Sequence, residues 1–220
     1  MFYADTYNGK LDDKEGGPGI GGADISISDS VIDLVIGGAK ASAIGVRHWN
    51  SVSISIVDST IGAAYGGGSA AAIGESRGVR ENVENYETTI YIENSNITAT
   101  GGDYGAAIGT GYDSHCKALQ VKCTIIIKSN SVINAQGGKF AAGIGTGYHT
   151  ANLDGYIDGT VDITNVRCGA QKGSYSEAQN IGYGVIQIQN GETPREGSYV
   201  VSHGVTFTVD GNVISEPRWL

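Results

Sequence analysis

GAAIGTGYDSH at residues 105–115 and AAGIGTGYH at 141–149 spell Gly-Thr-Gly-Tyr twice after the same small-residue run, and 36 residues separate Ile108 from Ile144. A fixed interval of this size marks a chain that builds one structural unit repeatedly. The same small-Ile-Gly signature recurs outward from these two copies, placing isoleucines at Ile20, Ile44, Ile73, Ile108, Ile144 and Ile181. A second marker, an Asp or Asn closing or following an alternating strand-like run, stands at Asp29, Asp58, Asn94, Asn130, Asn165 and Asn190. The runs before these markers are ISIS, SISIV, TIYIE, TIIIKS, TVDIT and VIQIQ.

The two markers divide each repeat unequally. From Asp or Asn to the next Ile the chain takes 15, 15, 14, 14 and 16 residues, whereas from Ile to the next marker it takes 9, 14, 21, 22, 21 and 9. A constant half beside a variable half fits coils that must return to one axial position and extrude their surplus at one corner. The expectation is therefore an all-β, single-stranded right-handed parallel β-helix (β-solenoid) of about six coils, its hand following the general rule for parallel crossovers. A β-sandwich also gives short, frequent strands, but no reason for one half-repeat to stay constant.

Residue types fill in the expected coil. Alternating Ile would face inward on each rung, and Asp or Asn would sit at a tight corner where stacked copies form a ladder. Gly pairs at 37–38, 66–67, 101–102 and 137–138 are expected to supply positive-φ turns at a second corner. SHGVTFTVDGNVIS (202–215) reads as two strands around Asp210-Gly211, a C-terminal hairpin cap. The expected division is a repeat domain over 1–190, with loops inserted at 46–51, 75–87, 110–120 and 146–158, and capping strands over 191–220.

Composition sets limits on function. The chain holds 35 Gly but only 3 Pro in 220 residues and lacks a three-residue period, which excludes collagen. A net charge of −9 with no basic stripe argues against a nucleic-acid partner. No apolar run is long enough for a helical membrane span. MFYADTYNGKLDDKEGG has neither the charged nor the apolar region of a signal peptide, and the chain reads as an excised extracellular segment. The three cysteines, Cys116, Cys123 and Cys168, show no CxxC spacing. Cys123 reads as a small core residue, and a Cys116–Cys168 bridge is left open.

Chemistry-bearing residues collect in the inserted loops. Registered on Ile-Gly, these read VRHWN (46–50), ESRGVR (75–80), TGYDSHC (110–116), TGYHTAN (146–152) and YGV (183–185). At the ~4.8 Å strand spacing, one corner would carry a column of aromatic and polar groups. The candidate ligand-binding residues are His48, Trp49, Arg77, Tyr112, His115, Tyr148, His149 and Tyr183. Rings covering the apolar face of a sugar, with polar groups meeting its hydroxyls, point to a poly- or oligosaccharide partner. The plainer alternative for the tyrosines is that they pack over the corner and hold the loops.

Glycoside hydrolysis needs two carboxylates a short distance apart, and Asp113, Glu75 and Asp154 are the candidates, although no motif selects a pair. Nucleophile elbow and phosphate loop are both missing from the sequence. Asp154 and Asp158 match no calcium-loop pattern, and His115, His149 and Asp113 could hold a transition metal only if their loops converge. No metal and no cofactor is expected.

With NITATGGDYGAAIGTG (96–111) and VINAQGGKFAAGIGTG (132–147) in view, the chain resembles the Gly-rich, GAAIG-type parallel β-helix repeats of secreted or surface proteins of Gram-positive bacteria. The resemblance covers roughly 16–185. It implies an extracellular, carbohydrate-associated module, often one part of a larger polypeptide. The family's usual loop after Ile-Gly is a short run of glycines, and the longer aromatic and His-bearing loops here depart from it. The functions in play are a carbohydrate-binding module, a polysaccharide-active hydrolase or lyase using the same loops, and a structural spacer or adhesin.

Overall fold

The computed structural model describes residues 16–46, 51–76, 78–79, 85–116, 120–151, 156–164, 166–184, 186–188, 204–209 and 212–214. Every regular element among them is a β-strand. The six Ile-Gly pairs, from Ile20–Gly21 to Ile181–Gly182, form one sheet in sequence order. Each strand is parallel to the next, with Ile opposite Ile and Gly opposite Gly. The first marker of the repeat is thus a physical column.

A second sheet runs Asp24–Ser28, Val52–Val57, Asn85–Glu93, Gln120–Lys128, Tyr156–Ile163 and Gly204–Val209. Side chains alternate across a strand, so register decides what stacks. Ile25, Ile54, Ile90, Ile125 and Val161 form one column, and Ile27, Ile56, Ile92, Ile127 and Ile163 form another. From Ile54 to Ile127 these isoleucines are at most 1% exposed. Asn212–Ile214 ends the sheet as an antiparallel hairpin strand, Phe207 opposite Ile214.

A third sheet pairs Val31–Ile32 and Val35–Ile36 with Thr60–Tyr65, then continues through Asn96–Thr100, Val132–Gln136 and Arg167–Gln171. Its inner columns are Ile32, Ile61, Ile97, Ile133, Cys168 and Ala64, Ala99, Ala135, Ala170. The inward residues of all three sheets belong to one core. Parallel strands stacked in register over successive repeats are compatible with a β-solenoid.

The Asp/Asn corner behaves as its chemistry requires. Asp29, Asp58, Asn94 and Asn130 have φ of 48°, 49°, 46° and 59°, the left-handed region that these two residues tolerate best after Gly. The Asn94 side-chain amide donates to the Asp58 carboxylate, a rung of the expected ladder. Asn165 and Asn190 lie outside the described residues. Beside this ladder runs a second. Ser30 N–H donates to Ser59 Oγ at 3.1 Å, Ser59 N–H to Ser95 Oγ at 3.1 Å, and Ser95 N–H to Ser131 Oγ at 3.3 Å.

The Gly pairs do not supply positive φ. That conformation belongs to the glycines of Ile-Gly, Gly45, Gly74, Gly109, Gly145 and Gly182, with φ from 129° to 150°. The pairs are glycine for want of space. A Cβ on Gly67, Gly102 or Gly138 would overlap the carbonyl oxygen of Gly38, Gly67 or Gly102 in the coil before.

Cys123 is a core residue, 2% exposed, as expected. Cys168 takes the position that Ile133 holds one coil earlier and is a free thiol, so the Cys116–Cys168 bridge does not form. Burial pushes the Cys168 thiol up to about 12 and drives Cys123 higher still, the Glu75 carboxylate adding to the latter. Iodoacetamide at pH 8, read per cysteine by mass spectrometry, should leave both untouched in the folded chain and label both in urea. The sign for stability follows. Unfolded thiols ionise near pH 8.5, while these two stay protonated in the fold. Stability should be unaffected below that pH, then fall by up to about 1.4 kcal/mol per pH unit per thiol above it.

Candidate functional site

The Gly-Thr-Gly-Tyr segment now has a mechanical explanation. Thr110 Oγ1 accepts the N–H of Gly147 at 3.0 Å, and Thr146 Oγ1 accepts that of Gly184 at 3.0 Å, so each threonine ties down the following coil. A Cβ on Gly147 would overlap the Gly111 carbonyl, which requires the second glycine. The tyrosine N–H then donates across to the neighbouring turn, Tyr112 to Ser69 O at 2.8 Å and Tyr148 to Tyr104 O at 2.9 Å. Both rings are thereby held at the turn that follows the Gly pairs.

That turn carries aromatics of its own. Tyr104, Phe140 and Tyr175 occupy successive coils, their N–H groups donating to Gly68, Asp103 and Lys139 carbonyls. Tyr104 and Phe140 stack at 4.9 Å with 6° between planes, and Phe140 lies 4.3 Å from Tyr175. Tyr112 and Tyr148 form the adjoining column, 5.4 Å apart. Contacts at 5.3–5.6 Å from Tyr104 and Phe140 join the columns into one five-ring cluster.

The cluster is half-buried and ends on Tyr175, which is 42% exposed. Lys139 Nζ stands 5.2 Å from the Phe140 ring centre and 5.9 Å from that of Tyr175, within cation–π range. Burial, followed by the neighbouring tyrosines, raises the Tyr148 phenol above its ordinary value. It therefore remains a neutral hydroxyl at physiological pH.

Sequence reasoning found Tyr112 and Tyr148 but missed Tyr104, Phe140 and Tyr175. A signal existed: GGDY (101–104), GGKF (137–140) and KGSY (172–175) each place an aromatic at the same offset in the turn. Tyr183 was grouped with the ring column, but it follows Ile-Gly directly and shares its position with Val46, Glu75, Thr110 and Thr146. Tyr183 N–H donates to Gln179 Oε1 at 3.0 Å, and its carbonyl accepts from Gln179 N at 2.8 Å.

Glu75 lies in that inner column, 3% exposed, where the preceding coil has the core residue Val46. Its carboxylate acts on Cys123 inside the sheets. Such a group does not face a solvent-filled groove. His48, Trp49, Arg77 and Asp154 lie outside the described residues, as do the side chains of Asp113, His115 and His149.

Three of the insertions expected as loops carry strands of a fourth parallel sheet, and the sixth alternating run, VIQIQ, supplies its last strand, whereas Gly204–Val209 takes the sixth place in the second sheet. The strands of the fourth sheet are Gly78–Val79, Asp113–Cys116, His149–Ala151 and Ile186–Ile188. Asp113 is the register partner of both Gly78 and His149, and Ser114 that of Thr150. His115 falls where the register shifts, between Ser114 and Cys116. The fourth sheet thus brings Asp113, His115 and His149 onto neighbouring strands.

No protein-family model, curated protein or solved structure matches this chain. What can be said of its class rests on its own architecture, an all-β chain of parallel sheets stacked in register. No helix among the described residues is long and apolar enough to cross a membrane.

Proposed function

We propose that this chain is a right-handed β-helical module that binds carbohydrate at its aromatic corner, the final hairpin closing its last coil. The single observation that carries the reading is the five-ring cluster ending on exposed Tyr175 beside Lys139. Rings inside the cluster spend their faces on each other, so the outer face of Tyr175 is the platform for a sugar's C–H surface. The neighbouring phenol groups and the Lys139 ammonium supply donors for hydroxyls. Handedness is supported by the strong right-hand preference of parallel crossovers. The resemblance to Gly-rich repeats supports an extracellular or surface location and membership of a larger polypeptide.

A broad glycan panel, scored for both retention and released reducing ends, tests the reading. Retention without release is expected, with at least one immobilised glycan weakened about tenfold or more by Tyr175→Ala, a loss of about 1.4 kcal/mol. Thermal stability of that variant should stay within a few degrees of the parent. Released sugar that disappears in Asp113→Asn would replace the binding module with a hydrolase or lyase. Silence in both readouts would favour the structural spacer.

A further inference from the structure

We infer that the ligand of the aromatic corner is an acidic sugar, its carboxylate or sulfate held by Lys139. The inference rests on the carbohydrate-binding reading and adds the charge of the ligand. Asp103, Lys139 and Ser174 take the same place in successive turns, and the N–H of Tyr175 donates to the Lys139 carbonyl at 3.2 Å. The lysine backbone is therefore fixed against the turn that carries the exposed ring. Its Nζ stands 5.2 Å from the Phe140 ring centre and 5.9 Å from that of Tyr175. Cation–π attraction at this range holds the ammonium beside the two rings, where an unsupported lysine would spread over many rotamers. Less ordering entropy is then lost when it pairs with a ligand.

No carboxylate of the described residues neutralises this ammonium. The ion pairs Glu87–Lys122 and Lys128–Asp162 lie on the second sheet. Asp103, one coil back, and Glu177, exposed in the Tyr175 turn, form no ion pair with Lys139. Lys172 adds a second ammonium in that turn, 2.8 Å from the Ser176 carbonyl. The exposed ring thus has lysines on both turns that hold it, in a chain where acids outnumber bases 23 to 14. A carboxylate or sulfate projects from the edge of a sugar ring, so a sugar stacked on Tyr175 carries its anion outward to the rim where Lys139 stands. Hydrogen bonds between an ammonium and an anion are roughly twice as strong as neutral ones. An acidic sugar uses the ring and the ammonium charge together, whereas a neutral sugar leaves the charge unmatched.

Matched pairs of immobilised glycans test this. Polygalacturonate and alginate are set beside their carboxyl-reduced forms, and a sulfated galactan beside its desulfated form. At least one acidic glycan should be held about tenfold or more tightly than its neutral twin, and the two arms tell carboxylate from sulfate. Lys139→Gln should cut that preference about tenfold, and Lys139→Arg should keep most of it. Lys40→Gln, which removes one positive charge from the turn of the first coil, should leave the preference as in the parent. Circular dichroism melts verify that each variant is folded. Acidic glycans held no better than their neutral twins, or a preference unchanged in Lys139→Gln, overturns the inference and leaves the carbohydrate-binding reading standing. Retention of no glycan of either kind removes both.

Discussion

Gly109→Ala should abolish the native state or lower its stability by more than about 4 kcal/mol, the range reserved for strain and overpacking in a closed core. Two costs fall on this one methyl. Gly109 has φ of +136°, where an L side chain is strained. Its Cβ would also overlap the carbonyl oxygen of Gly145 in the following coil. Relief would mean separating two coils, which unstacks Ile108 from Ile144. Gly68→Ala is the matched control, because the nearest atom to its added Cβ is Ala39 O at 3.7 Å. Urea melts followed by circular dichroism should show a transition near the parent's for Gly68→Ala and an early or missing one for Gly109→Ala.

Ile125→Ala should cost about 2–5 kcal/mol, the transfer term plus the cavity left behind. Ile125 is fully buried between Ile90 and Val161, so coils on either side hold the space open. Its neighbour Ile126 lies on the opposite face, between Tyr91 and Asp162, and is only partly buried. Ile126→Thr should therefore shift stability by less than about 1 kcal/mol. Equal losses at 125 and 126 would mean that the strand is not read with the inward face assigned to it.

The stacking of this chain was legible because one residue per repeat carries it. Ile-Gly and the Asp/Asn marker each need one side-chain type at one backbone conformation, so they recur with little noise. Glycine was harder to interpret. It is used both where φ is positive and where a Cβ would strike a neighbouring carbonyl, and the letter is the same. The pair at 66–67 reads like a turn, yet Gly74 has the turn's φ.

The aromatic cluster was half legible. Tyr112 and Tyr148 announced themselves in the variable loops, whereas Tyr104, Phe140 and Tyr175 sit in the constant half, where repetition passes for scaffold. Tyr183 was matched by residue type across an offset, since Ile-Gly is followed by Tyr-Gly there instead of Thr-Gly-Tyr. The fourth sheet left a signal only in VIQIQ, whose alternation is legible but which was aligned with the strands of the second sheet. Strands as short as GV, DSHC and HTA have too few residues to show alternation, and only the register of their neighbours aligns them.

In-register stacking of successive repeats underlies the ring cluster. It is tested most directly by a disulfide between register partners. Thr98 and Asn134 face each other across adjacent strands of the third sheet, neither of them in the core, and strand spacing of about 4.8 Å lies within disulfide reach. The Thr98→Cys/Asn134→Cys chain should cross-link nearly completely under mild oxidation in its folded state, as read by peptide mapping. Thr98→Cys paired with Ser55→Cys, on a different sheet, should not. Failure of the first pair to link, or equal linking of both, would contradict the stacked-repeat architecture on which the aromatic corner depends.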